Sequence, residues 1–162
     1  MKILDGNSES LVRPSMFLHG ITGEGKSTWA TKGGRPGVIL LEPKAISVLR
    51  QINPQAVGLV PESLDDLDAL MVRLGQPEWL QAKGLDRLVL DSYTGLTEIL
   101  PAWIRARQQA PGVLTKALEI QEYGHLGDYA TAIVKAIHLT GLPSVIIGRS
   151  ISKKVGLSDR IQ

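Results

Sequence analysis

Five short apolar runs recur along the chain, at 16–19, 38–42, 57–60, 87–91 and 144–148. Most are nearly continuous in Val, Ile and Leu rather than alternating with polar residues. That pattern predicts strands of a parallel sheet covered on both faces. The stretches between them read as helices. The first covers 26–32 and stops at Gly33-Gly34-Arg35-Pro36-Gly37, a cluster of breakers. A short one covers 45–51. Ser63 reads as the N-cap of a helix over 64–74, with Asp66 three residues later as an imperfect capping box. Beyond the fourth strand, Leu96, Ile99, Leu100, Trp103 and Ala106 recur at helical spacing, and Pro101 among them predicts a kink or a restart. Leu126, Ala130, Ile133, Val134 and Ile137 mark the last helix, with Asp128 as its expected cap and Gly141-Leu142-Pro143 as its stop. Strands alternating with helices predict an α/β fold, three layers deep, with a mainly parallel five-stranded sheet. The segment 108–115, containing Pro111 and Gly112, reads as a polar loop.

A length of 162 residues suits one domain with a real core. Aromatic residues make up 4% of the chain, so that core is expected to be built from Leu, Ile, Val and Ala. The absence of cysteine excludes disulfides, thiolate metal sites and thiol catalysis, and it suits a cytoplasmic setting. No apolar run approaches the roughly 18 residues of a membrane helix, and the first ten residues lack an apolar signal core. Net charge is +2, unevenly spread: Arg149, Lys153, Lys154 and Arg160 against Asp159 leave the end of the chain at +3.

Residues 20–27, Gly-Ile-Thr-Gly-Glu-Gly-Lys-Ser, fit the pattern G-x-x-x-x-G-K-[ST] at every fixed position. The motif sits between a predicted strand and a predicted helix, the context it requires. Gly20, Gly23 and Gly25 lack side chains that would obstruct a loop wrapped around phosphates, and they tolerate positive φ. The loop amides of Gly20, Ile21, Thr22, Gly23, Glu24 and Gly25 can turn toward an anion, aided by the helix that follows. Lys26 is placed to reach the β- and γ-phosphate oxygens, Ser27 to ligate Mg²⁺, and Thr28 to approach the α-phosphate. ATP and Mg²⁺ are the implied ligands.

Arg87-Leu88-Val89-Leu90-Asp91-Ser92 is an apolar strand ending in an acid, the place of the carboxylate that holds Mg²⁺ in P-loop proteins. Ser27 and Asp91 are therefore the candidate metal residues. Hydrolysis also needs a group that orients water. Glu42, at the end of the second predicted strand, lies where ligands sit in open parallel sheets. It is the candidate base, although it could equally pair with Lys44. Glu24 is a second nearby carboxylate, expected to face solvent. Arg149 ends the fifth strand and can sense the γ-phosphate, in its own subunit or in a neighbour's site. His19 reads as a packed, hydrogen-bonded residue. His125 and His138 read as structural or solvent-facing, and Trp29, Trp79 and Trp103 as core or rim.

The P-loop, the Asp91-Ser92 strand end and the helix leading into Val145-Ile146-Ile147-Gly148-Arg149-Ser150 resemble the RecA-type ATPase core, over residues 13–152. More closely, the chain resembles short phage-encoded nucleotide-binding proteins of the AAA_24 type, some of which act in recombination and single-strand annealing. The resemblance implies a catalytic glutamate at Glu42. It departs where relatives carry a second acid, at Lys44, and where they carry Gln, Asn or His, at Arg149. Relatives also continue further, so the single expected domain, 1–162, reads as a core lacking their C-terminal extension. It implies DNA contact through 108–115 and the tail 150–162, with Lys116, Lys153, Lys154 and Arg160 on single-stranded phosphates, and a ring or filament of subunits. Two other readings stand beside a DNA-acting ATPase. One is a nucleotide-dependent assembly subunit with little turnover. The other is a small-molecule kinase, which would need a lid with several arginines, for which Arg105 and Arg107 are the mid-chain pair.

Overall fold

A computed structural model of the chain describes residues 14–42, 45–108 and 120–150. In order, the elements are β1 (Ser15–Gly20), α1 (Lys26–Thr31), β2 (Pro36–Leu40), α2 (Ala45–Ile52), β3 (Val57–Leu59), α3 (Leu64–Leu74), α4 (Pro77–Lys83), β4 (Arg87–Asp91), α5 (Tyr93–Gln108), α6 (Ile120–Leu139) and β5 (Ser144–Arg149). The strands form one sheet in the order β1-β5-β4-β2-β3, and each pairing is parallel.

Side-chain alternation in the central strands decides the layers. Val38, Leu40, Val89, Val145 and Ile147 face one side, where they pack with Ala30 of α1 and Leu49 of α2. Ile39, Leu88, Leu90 and Ile146 face the other, against α3 to α6. On that side α5 buries Leu96, Leu100 and Ile104, and α6 buries Ala130, Ile133 and Ile137, both at helical spacing. Each such Leu or Ile contributes roughly 1.5–3 kcal/mol by leaving water. Apart from Pro36 and Pro61, the buried apolar side chains of the described residues are all Ala, Val, Ile or Leu, as the composition predicts. No helix among the described residues is long and apolar enough to cross a membrane. β1 is an edge strand, with Met16 and Phe17 exposed.

Several elements differ from the sequence pattern. Pro36 and Gly37, expected as breakers, open β2. Proline is tolerated as a strand's first residue, and a Cβ at Gly37 would stand 2.7 Å from Leu85 Cδ1. α5 continues through Pro101 as one helix rather than restarting there, with Leu100 and Ile104 buried on either side. Asp128 is an exposed interior residue of α6 rather than its cap, since the helix begins at Ile120. α4 is an additional helix, announced by Pro77 at its start and by Gly84, with φ 60°, after its end. Ser63 does cap α3, its hydroxyl accepting the Asp66 N–H at 3.1 Å. Residues 109–115 of the expected loop lie outside the described residues.

The C-terminal end of α1 is clamped from two sides. Buried Asn53 donates from Nδ2 to the Thr31 carbonyl at 2.8 Å and to those of Gly33 and Gly34 at 3.2 Å. Arg87 donates from Nε to Ala30 O at 3.1 Å, and from a terminal nitrogen to Lys32 O at 2.9 Å and Gly33 O at 2.7 Å. Elsewhere, Arg107 ties α5 to α3 and α6 through Asp68 (2.7 Å), Asp65 and the Tyr129 hydroxyl (3.1 Å). The hydrogen bonds it donates to Asp68 and then Asp65 raise its pKa above the ordinary arginine value.

Asn53→Ala leaves the buried Thr31 carbonyl and the part-buried Gly34 carbonyl without the Asn53 donor, while the Gly33 carbonyl keeps Arg87. It is expected to lower the unfolding free energy by about 1–3 kcal/mol, read from urea denaturation, and an unchanged midpoint would show that the clamp contributes nothing.

Candidate functional site

Parallel pairing aligns the carboxyl ends of four strands. Leu18 pairs with Ile147, Ile147 with Asp91, and Asp91 with Leu40, so these residues form one row across the sheet. The connection after β2 leaves toward the α1–α2 face, and the connection after β4 leaves toward the α3–α6 face. Neighbouring strands whose connections part in this way open a crevice beyond their ends. Glu42 and Asp91 stand on its two sides.

A cleft of about 380 Å³ occupies that place, within the size range of small-ligand sites. It is lined by Thr22, Gly23, Gly25, Lys26, Ser27 and Thr28 from the glycine loop and α1. Glu42, Ala45, Asp91, Ile147 and Arg149 complete it. Gly20, Ile21 and Glu24 do not line it. Ile21 is half exposed, and Glu24 lies beside Lys26, its Oε2 4.0 Å from Nζ, with half of its side chain in solvent. The cleft therefore gathers the candidate metal residues, the candidate base and the candidate sensor, which come from four separate elements and the loops that follow them.

The loop geometry explains its glycines. Gly23 and Gly25 have φ of 94° and 76°, which residues with a Cβ rarely adopt. Gly25 is the N-cap of α1 and supplies no side-chain oxygen. The first amides of α1 thus have no capping side chain, and the first intrahelical bond runs from Trp29 N to Gly25 O at 2.8 Å. Lys26 is mostly covered, and its ammonium donates to the carbonyls of Gly20 (2.7 Å) and Ile21. Fixed amides, an ammonium and a bare backbone fit a polyphosphate. Ser27 and Asp91 offer oxygen ligands, which fit a hard cation such as Mg²⁺. Among the described residues no three His, Cys, Asp or Glu cluster. Such a cation would therefore share its coordination with phosphate and water rather than sit in a protein cage.

Glu42 lies two residues beyond the end of β2, not within it. Its carbonyl accepts the Ala45 N–H at 2.9 Å, starting α2. Its Oε1 receives a hydrogen bond from a terminal nitrogen of Arg149 at 2.9 Å. The side chains of this pair are 66% and 34% exposed, so the contact contributes at most about 1 kcal/mol. Lys44, the other partner considered for Glu42, lies outside the described residues, as do Lys116, Lys153, Lys154 and Arg160.

Sequence reasoning did not find Ser92 and Thr94 as partners of Arg149. Ser92 is fully buried, and its Oγ accepts from Arg149 Nε at 3.0 Å and from Gly95 N at 3.1 Å. The Thr94 hydroxyl accepts the Arg149 N–H at 2.9 Å. The Asp-Ser pair was visible in the chain, but its contact 57 residues away was not. His19, expected to be packed, is exposed; it stacks on Phe17 and contacts the Ser150 hydroxyl. Trp29 is exposed, whereas Trp79 and Trp103 pack against the larger core. His138 is exposed, and the side chain of His125 lies outside the described residues.

No protein-family model and no curated protein sequence matches the chain. Among solved structures it is similar to a KaiC-like protein from the hyperthermophilic archaeon Pyrococcus horikoshii OT3, with a TM-score of 0.54 and 15% sequence identity. The match covers 86% of this chain and 62% of that one, so the chain spans under two thirds of the length of the protein it resembles. At that identity the likeness speaks to architecture alone, and the architecture is a three-layer α/β/α fold of the RecA-like kind.

Proposed function

We propose that the chain is a Mg²⁺-dependent ATPase of the RecA-like class. The observation that carries this reading is the convergence of Lys26, Ser27, Asp91, Glu42 and Arg149 on one cleft at the carboxyl edge of a parallel sheet. The loop amides and Lys26 bind the phosphates and neutralise their charge. Ser27 and Asp91 would hold Mg²⁺, which would neutralise charge on the phosphate oxygens. Glu42 orients a water and takes its proton as the water oxygen bonds to the γ-phosphorus. The bond from that phosphorus to the bridging oxygen breaks, and ADP leaves with the electron pair. Arg149 stabilises the charge on the transferring group.

The partner we propose is single-stranded DNA, in recombination or annealing of the kind performed by phage AAA_24-type proteins. Lys116, Lys153, Lys154 and Arg160 would contact its phosphates, and subunits would line up along the strand. The basic balance of the last residues, from Arg149 onward, supports this part. Residues 1–162 are proposed to act as a single domain. One alternative is an assembly subunit that binds ATP and barely turns it over; the exposed Glu42–Arg149 contact is too weak to hold the base away from water and does not decide for it. The kinase reading loses support, since Arg107 is committed to Asp65, Asp68 and Tyr129 rather than free to close on a substrate.

Calorimetry with MgATP is expected to give saturable binding that Lys26→Ala weakens at least about tenfold, the worth of a charge-assisted contact. An absence of heat from the folded wild type would end the nucleotide reading. Glu42→Gln is expected to bind ATP as the wild type does while kcat falls about 10²–10⁴-fold. Chelating Mg²⁺ with EDTA is expected to stop phosphate release. Tight binding with negligible wild-type release would favour the assembly subunit. Single-stranded DNA is expected to raise phosphate release, with a stimulation that declines steeply as salt rises; salt-independent or absent stimulation would remove DNA as the partner.

A further inference from the structure

Arg149 is the cation of the cleft least explained by its visible ion pair. Its contact with Glu42 is largely in solvent and holds neither side chain firmly. Its other contacts are part-buried. The Thr94 hydroxyl accepts its backbone N–H at 2.9 Å and lies 3.4 Å from its carbonyl, which fastens the end of β5 to the start of α5. The buried Ser92 Oγ accepts its Nε–H at 3.0 Å. Gly95 leaves room for the head group, because a Cβ there would stand 3.2 Å from a terminal nitrogen. A guanidinium is planar, so fixing Nε limits the directions in which its terminal nitrogens can point. Here one of them points to the cleft rim, at Glu42.

We propose that Ser92 is a positioning residue that seats the Arg149 guanidinium at the cleft, with Thr94 fixing the backbone beneath it. This deepens the ATPase reading and rests on it for its functional consequence: the seat tunes recognition of the third phosphate. Asp91 and Ser92 then divide the work of one strand end. The carboxylate serves the metal, and the hydroxyl next to it orients the sensor. Ser92 acts only through Arg149 and touches no substrate.

Ser92 also receives the Gly95 N–H within the first turn of α5, so a purely structural role is the competing account. Two measurements separate them. The first uses nucleotide-free protein and NMR of arginine Nε–H groups, with the Arg149 signal assigned from Arg149→Lys. That signal is expected to exchange slowly in the wild type and to lose its protection in Ser92→Ala. The second compares affinities for ADP and for a non-hydrolysable ATP analogue. Ser92→Ala is expected to lower the preference for the triphosphate about tenfold, the scale of a hydrogen bond to a charged group, with ADP affinity unchanged. In an Arg149→Ala background, Ser92→Ala is expected to add nothing, whereas a structural role predicts additive losses. An Arg149 signal equally protected in Ser92→Ala, or an additive double mutant, overturns the proposal. A wild type that binds neither nucleotide sinks the ATPase reading and the proposed consequence with it, and the Nε–H measurement alone then decides the seat.

Discussion

Parallel pairing in a fixed register is the constraint from which the site follows. The row Leu18, Ile147, Asp91 and Leu40 exists because β1, β5, β4 and β2 hydrogen-bond side by side in one direction. Everything that follows those residues in the chain emerges on the same edge. The glycine loop, Glu42, Asp91, Ser92 and Arg149 therefore meet without a dedicated scaffold. Burial supplies the rigidity. Val38, Ile39, Leu88, Val89 and Leu90 are wholly inaccessible, so a slip of one residue would turn each of them toward the wrong layer.

The glycine loop is held from behind as well as from the sheet. Asn53 and Arg87 tie down the carbonyls where α1 ends, and Thr31 bonds back to the Ser27 carbonyl at 2.7 Å. A helix of six residues has little stability of its own. Its position depends on these clamps and on the smaller core, where Ala30 packs beside Val38 and Leu49. The residues proposed to bind phosphate and those that stabilise the fold thus share one short helix. Damage to the clamp would therefore reach the site.

Charge in this molecule divides between fixing structure and equipping the cleft. Arg107 and Arg87 are consumed by structural contacts with acids and carbonyls. Lys26 and Arg149 face the cleft instead, and each is oriented by oxygens of the protein. The same side-chain type therefore serves different ends according to what surrounds it, which composition and net charge do not reveal.

The chain by itself determined the fold class, the five strands and the helix over Leu64–Leu74, because nearly continuous aliphatic runs and a Ser63 cap are local signals. It also exposed the glycine loop and the acid at the end of the fourth strand, since each is a local pattern of residue types. The helix at Pro77–Lys83 was not read from the chain, although Pro77 and Gly84 mark its ends, because its apolar content is slight. The unbroken α5 and the interior place of Asp128 were not legible, because packing against the sheet overrides local breakers and caps. Tertiary structure alone decided the strand order, the pairing of Glu42 with Arg149 and the seating of Arg149 on Ser92. Those contacts join residues 57 and 107 positions apart. Only the closing of the sheet and its two helical layers brings such residues within reach of a hydrogen bond.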